Sequence, residues 1–191
     1  MMLSTLYKSI LAGILIGIAA IVSIYAQYSY IMFAVGLIAV IYCKAMLYTG
    51  LIGAASLRDC KAILLVLIGN FTGVALMCLS AIVLGNIYLF NDIITTKESY
   101  SLIDVLISSI FCGMLMCVAT VLNKNKNILV IIMCVSAFIL GKFPHCIADA
   151  FYLGLNGVTI SDVFYLLCAV IGNTLGAKMA YWCAGGKSYE I

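Results

Sequence analysis

His145 and Pro144 are each the only residue of their type in this chain, and they stand side by side in the hydrophobic stretch Gly141 to Phe151, GKFPHCIADAF. Proline cannot continue a helix, because it lacks the N–H that the ladder needs and its ring meets the preceding turn. A titratable imidazole is costly in hydrocarbon and, where it occurs there, faces a polar partner or a path. The pair therefore predicts a broken helix built around a polar function. The same stretch carries Phe138 and Lys142 before the break and Asp149 after it. A second interrupted stretch runs Phe33-Ala-Val-Gly-Leu37, through Lys44 and Leu47-Tyr-Thr49-Gly50, to Gly53. Irregular backbone at membrane depth is tolerated only where it is buried in protein or lines a cavity, and amides freed there can donate to an anion. One protonatable histidine, two lysines and donor-rich helix ends suit a small monovalent anion better than a sugar or a metal.

The elements that must position these residues follow from composition. Of 191 residues, 66% are hydrophobic and 9% charged, which places the chain among polytopic membrane proteins. Windows of about 20 apolar residues predict six spans near 9–26, 30–48, 63–89, 101–122, 128–153 and 160–183. They leave no room for a soluble domain, so 1–191 reads as a single transmembrane domain. The first span is read as a helix and not as a signal peptide, since no small-residue cleavage site leads into a polar start. Lys8, Arg58, Lys61, Lys124, Lys126 and Lys187 fall on one set of span ends and Lys97 on the other. That bias predicts both termini on the cytoplasmic side of the plasma membrane. It also accounts for the net charge of +3, so no nucleic-acid partner is expected. Tyr181 and Trp182 close the last span as an interfacial anchor. The nine cysteines fall mostly within spans without C-x-x-C pairs; they read as small apolar packers, and neither a metal nor a cofactor is expected.

The chain also repeats itself. Ile10-Leu-Ala-Gly-Ile-Leu-Ile16 returns as Ile110-Phe-Cys-Gly-Met-Leu-Met116, and Ile68-Gly-Asn-Phe-Thr-Gly73 returns as Ile171-Gly-Asn-Thr-Leu-Gly176, at offsets of 100 and 103. The matches pair the first span with the fourth and the third with the sixth. Each half, about 1–90 and 101–191, thus holds three spans, and an odd number forces the halves into opposite orientations. The expected architecture is all-α: six transmembrane helices as two inverted three-helix repeats, with the second and fifth spans interrupted near the midplane. Ser101-x-x-Asp104 and Thr159-x-x-Asp162 read as capping boxes opening the fourth and sixth spans.

These elements together resemble the formate/nitrite transporter family over nearly the whole chain. Its second-span element Gly-Ala-Glu-Leu-Phe-Thr-Gly is similar to Lys44-Ala-Met-Leu-Tyr-Thr-Gly50, and its fourth-span Asn-x-x-Val-Cys-Leu-Ala to Gly113-Met-Leu-Met-Cys-Val-Ala119. Its fifth-span Phe-Glu-His-x-x-Ala-Asn is similar to Phe143-Pro-His-Cys-Ile-Ala-Asp149, and its two Gly-Asn-x-x-Gly signatures to Gly69–Gly73 and Gly172–Gly176. The resemblance implies an aquaporin-like fold and a homopentamer in which every subunit has its own pore for a small monovalent anion such as formate, nitrite, hydrosulfide or a short carboxylate. Permeation would be passive or coupled to protons. Phe33, Leu37 and Leu47 would form an apolar constriction, Phe138 would contribute from the fifth span, Thr49 would offer a hydroxyl at the cytoplasmic slit, and His145 would be the central histidine.

Departures from the family pattern are Pro144 for an acidic residue, Asp149 for asparagine, Gly113 for asparagine and Met46 for glutamate. A carboxylate one turn from His145 would favour the imidazolium, so His145 is expected to charge more readily than in a typical member. Lys44 and Lys142 would either raise the local anion concentration or pair with Asp149. Simpler readings stand beside these: Phe33, Leu37 and Phe138 as packing, the lysines as snorkelling residues, Thr49 bonded to a helical carbonyl, Lys178 as an anchor and the glycines as packing devices. The substrate-binding membrane subunit of an ATP-driven vitamin importer is the alternative function. An enzyme is not expected, with one histidine and no catalytic signature.

Overall fold

The computed structural model describes residues 2–27, 29–85 and 87–186; Lys187, counted above among the topogenic charges, lies outside them. Among the described residues every regular element is helical. The order is α1 (Met2–Tyr25), α2 (Tyr30–Tyr42), α3 (Tyr48–Leu51), α4 (Cys60–Val83), α5 (Asn91–Glu98), α6 (Leu102–Ala119), α7 (Ile128–Leu140), α8 (Cys146–Gly154) and α9 (Ile160–Cys183), with 3₁₀ turns at Leu57–Asp59 and Ile87–Phe90.

Length divides these helices into two kinds. Helices α1, α4 and α9 have 24 residues and α6 has 18, and all four are long and apolar enough to cross a membrane. At 1.5 Å per residue, 24 residues reach about 36 Å, beyond the roughly 30 Å of a hydrocarbon core. Helices α2 and α7 are equally apolar but stop after 13 residues, about 20 Å, which is too short to cross alone. Each is followed by a non-helical break and a short helix, α3 or α8. The second and fifth apolar runs are therefore interrupted where the sequence places the interruption. The protein is a multi-pass membrane protein whose regular elements, among the described residues, are all helical.

Corresponding helices pack in corresponding ways: α1 lies along α4 as α6 lies along α9, with α2 beside α1, α7 beside α6, and α2 and α7 against each other. The short helices cross over. α3 packs on α6 and α9 as well as α4, and α8 packs on α4 and α1 as well as α9. Small residues permit the two long-helix pairings: a Cβ on Gly13 would overlap the Asn70 carbonyl, and one on Gly113 would overlap the Asn173 carbonyl. At Gly113 α6 lies against the α9 backbone, which leaves no space for the asparagine of the family pattern.

Several details differ from the sequence reading. α4 ends at Val83 and not near 89, because Gly85 turns the chain at φ 73° and a polar helix, α5, follows. Of the two expected capping boxes, Thr159 and Asp162 make the full reciprocal one, while at Ser101 the hydroxyl accepts from the Asp104 N–H and donates to its carboxylate, half of the box. Trp182 is exposed as an anchor should be, whereas Tyr181 is buried and packs beneath Gly186. The Lys178 ammonium caps the Ala55 carbonyl instead of reaching outward. All nine cysteines are free thiols.

Candidate functional site

The two breaks are closed by the same backbone device. At the end of α2, the Lys44 N–H donates to the Ile41 carbonyl at 3.2 Å and the Ala45 N–H to the Val40 carbonyl at 2.9 Å. At the end of α7, the Lys142 N–H donates to Ile139 and the Phe143 N–H to Phe138, both at 2.9 Å. This paired bonding is the Schellman motif, which requires a left-handed residue at its centre, usually glycine. Here the centre is lysine in both halves, with φ 52° at Lys44 and 53° at Lys142, a conformation that costs a non-glycine residue roughly 1–2 kcal/mol. Both lysine side chains are exposed. Their shared feature is helix termination, and neither reaches Asp149.

Beyond each turn, the chain is held by a buried asparagine from the Gly-Asn-x-x-Gly motif. Asn70 on α4 accepts from the Tyr48 N–H at 2.8 Å through Oδ1 and donates through Nδ2 to the Met46 and Ser9 carbonyls, both at 2.8 Å. Asn173 on α9 accepts from the Cys146 N–H at 2.9 Å and donates to the Pro144 carbonyl at 3.0 Å and the Ser109 carbonyl at 2.8 Å. Each amide thus satisfies the carbonyl just before the break's last residue and the N–H just after it, groups that no helix serves. It also ties the break to the neighbouring long helix. The sequence reading took this motif for glycine packing and passed over the asparagine; the visible signal was a fully amide side chain recurring in two apolar spans.

Between the clamped groups, each break leaves one residue. In the first half it is Leu47 and in the second it is His145, both extended and both capping the short helix that follows. His145 Nδ1 accepts from the Ala148 N–H at 3.1 Å, so the ring proton sits on Nε2, which lies 2.9 Å from Thr49 Oγ1. The Phe138 ring stacks on the imidazole at 5.5 Å between centroids, and the Phe33 ring meets Phe138 edge-on at 6.0 Å. Four of the sequence-derived residues, His145, Thr49, Phe138 and Phe33, are therefore one contiguous buried unit. Leu37 and Leu47 are buried in the same core.

Outside the aromatic pair lies a vestibule of about 410 Å³, lined by Phe33 and Phe138, by the turn at Lys142, by α5 and by α8. Asp149 opens onto it, but its carboxylate turns away from the imidazole. Oδ1 forms an ion pair of 3.1 Å with Lys97 Nζ, and Oδ2 accepts from the Tyr165 hydroxyl at 2.8 Å. The expected influence of Asp149 on His145 gives way to this pairing, since one helical turn separates the two residues while α5 and α9 present partners directly. Lys97 is 7% exposed, and Nζ also lies 3.5 Å from the Lys142 carbonyl. The sequence reading counted Lys97 as a charge in a connection. The overlooked signal is that Ile94 and Lys97, three residues apart, form the buried face of a short helix.

Comparison with known proteins agrees with the fold. The formate/nitrite transporter family profile matches residues 1–184. No curated protein matches by sequence. Among solved structures, an FNT family ion channel superposes with a TM-score of 0.80 at 21% identity, covering 95% of this chain and 90% of that one. A pentameric formate channel with formate bound superposes with a TM-score of 0.76 at 20% identity, covering 96% of this chain and 97% of the other. At these identities the likeness is one of fold.

Proposed function

The chain belongs to the formate/nitrite transporter family, and on that premise we propose that it is a channel for small monovalent anions, with one permeation path through each subunit. The reading has six crossings, with α2–α3 and α7–α8 as the broken ones, arranged as two inverted halves with both termini cytoplasmic. Five copies assemble around an axis that is not the path, as the pentameric state of the similar formate channel suggests.

The single observation that carries the reading is the 2.9 Å contact between His145 Nε2 and Thr49 Oγ1 behind the Phe33–Phe138 pair. It joins the two broken spans at a buried point where a neutral imidazole and a hydroxyl each have a proton to offer. An anion leaving the vestibule must shed water to pass the aromatic rings. Losing hydration inside an apolar constriction is costly for a full charge and much less so for the neutral acid. Hydrogen bonds from Nε2 and the Thr49 hydroxyl offset part of that cost, and Leu37 and Leu47 form the apolar constriction that follows. Flux of the neutral acid carries a proton with the anion, so the path transports protons whenever its substrate is a weak acid. No feature of the fold favours the vitamin-importer alternative.

The test is flux in proteoliposomes containing the purified protein, with formate, nitrite, hydrosulfide and acetate supplied in turn and internal pH recorded. Flux above that of protein-free vesicles for at least one of them, with internal acidification on inward movement, is expected. Absence of flux for all of them contradicts the proposal.

A further inference from the structure

The vestibule contains a charge balance that anion conduction alone does not call for. Its lining carries two cationic side chains, Lys97 and Lys142, and two anionic ones, Asp92 and Asp149. Lys142 and Asp92 are exposed toward its outer part, while Lys97 and Asp149 are both buried against its inner end. An anion-collecting funnel would leave the innermost lysine unopposed, because an unscreened charge in a cleft raises the local concentration of its counter-ion about tenfold or more. Here the Lys97 ammonium is matched at 3.1 Å by the Asp149 carboxylate, which Tyr165 holds in place from α9.

We infer that Asp149 is a specificity-determining residue of the vestibule: by cancelling the Lys97 charge, it keeps anions of strong acids from accumulating there and leaves access to weak acids. A weak acid exists in part as its neutral form, which needs no cationic partner to approach the Phe33–Phe138 pair. A permanently charged anion such as nitrate has only the ionic form and depends on a vestibule of positive potential. This inference rests on the channel reading above and narrows its substrate class. The asparagine found at this position in the family pattern is the substitution that removes the carboxylate with least change of shape. It keeps an acceptor for Tyr165 and leaves the lysine unopposed.

The experiment compares nitrate and formate flux in proteoliposomes of the full chain by osmotic volume change. The parent should conduct formate well above nitrate. Asp149→Asn should raise the nitrate-to-formate ratio about tenfold, and Lys97→Gln combined with Asp149→Asn should return it to the parent value. A purely structural anchor for α5 would lower the thermal stability of Asp149→Asn and leave the ratio where it was; that result overturns the inference while the channel reading stands. If Asp149→Asn alone does not assemble, the double variant, which leaves no lone buried charge, must keep the parent ratio, and a raised ratio in it overturns the inference. A parent that conducts neither ion overturns this inference, and the channel reading falls with it only if nitrite, hydrosulfide and acetate also give no flux.

Discussion

The break after α2 and the break after α7 use the same scaffold for different chemistry. Both helices end in a Schellman turn centred on a left-handed lysine, and both short helices are held by an asparagine that bonds the carbonyl before the break's last residue and the N–H after it. The residue left between those bonds is Leu47 in one half and His145 in the other. The clamp fixes backbone and is indifferent to the side chain it presents, so matching breaks carry an apolar side chain at one and a hydrogen-bonding side chain at the other. The side chains are therefore less symmetric than the backbone.

The comparison is broken most severely at the asparagines. Asn70→Ala and Asn173→Ala each strand one buried N–H and one carbonyl at the break, at about 1–3 kcal/mol for each group left unsatisfied, while the Ser9 and Ser109 carbonyls, inside α1 and α6, keep their helical donors. Both should lower the melting temperature in detergent, by similar amounts. A large loss in one half with none in the other would mean that only one break is clamped. The expected effect is smaller at Thr49, which lies on the Leu47 side but serves His145. Thr49→Val keeps the shape and removes one hydrogen bond, worth about 0.5–1.5 kcal/mol, so formate flux should fall roughly twofold to tenfold with little change in stability. Thr49→Ser should retain flux near the parent level, and equal flux in the valine and serine variants would show that the hydroxyl takes no part.

Much of this arrangement was legible in the sequence. Pro144 and the glycines marked both interrupted stretches, and the Thr159 capping box formed as read, with Ser101 forming its half of the other. These signals are local, set by proline, by periodicity or by a side chain bonding three residues away. The clamps were not legible because their bonds join residues 22 to 64 positions apart, and an asparagine inside an apolar span gives no sign of which backbone it serves. Lys97 was hidden for a similar reason. A single charge in a polar connection reads as topogenic until the fold brings α8 against α5 and supplies Asp149 as its partner. Asp149 was recognised as consequential, but its neighbour in sequence, His145, drew attention away from its neighbours in space.

The central claim is that His145, and not the break that holds it, supplies the chemistry of the path. His145→Leu tests it most directly, since it places in the second break the side chain that the first already carries. The Asn173 clamp bonds backbone alone and should survive, so the variant is expected to assemble and melt near the parent temperature. It loses the Nε2 donor to a permeating anion, a charge-assisted bond worth about 1.5–3 kcal/mol, and formate flux in proteoliposomes should fall between roughly tenfold and a hundredfold. Flux equal to that of the parent, measured in a fully assembled His145→Leu variant, would contradict the account.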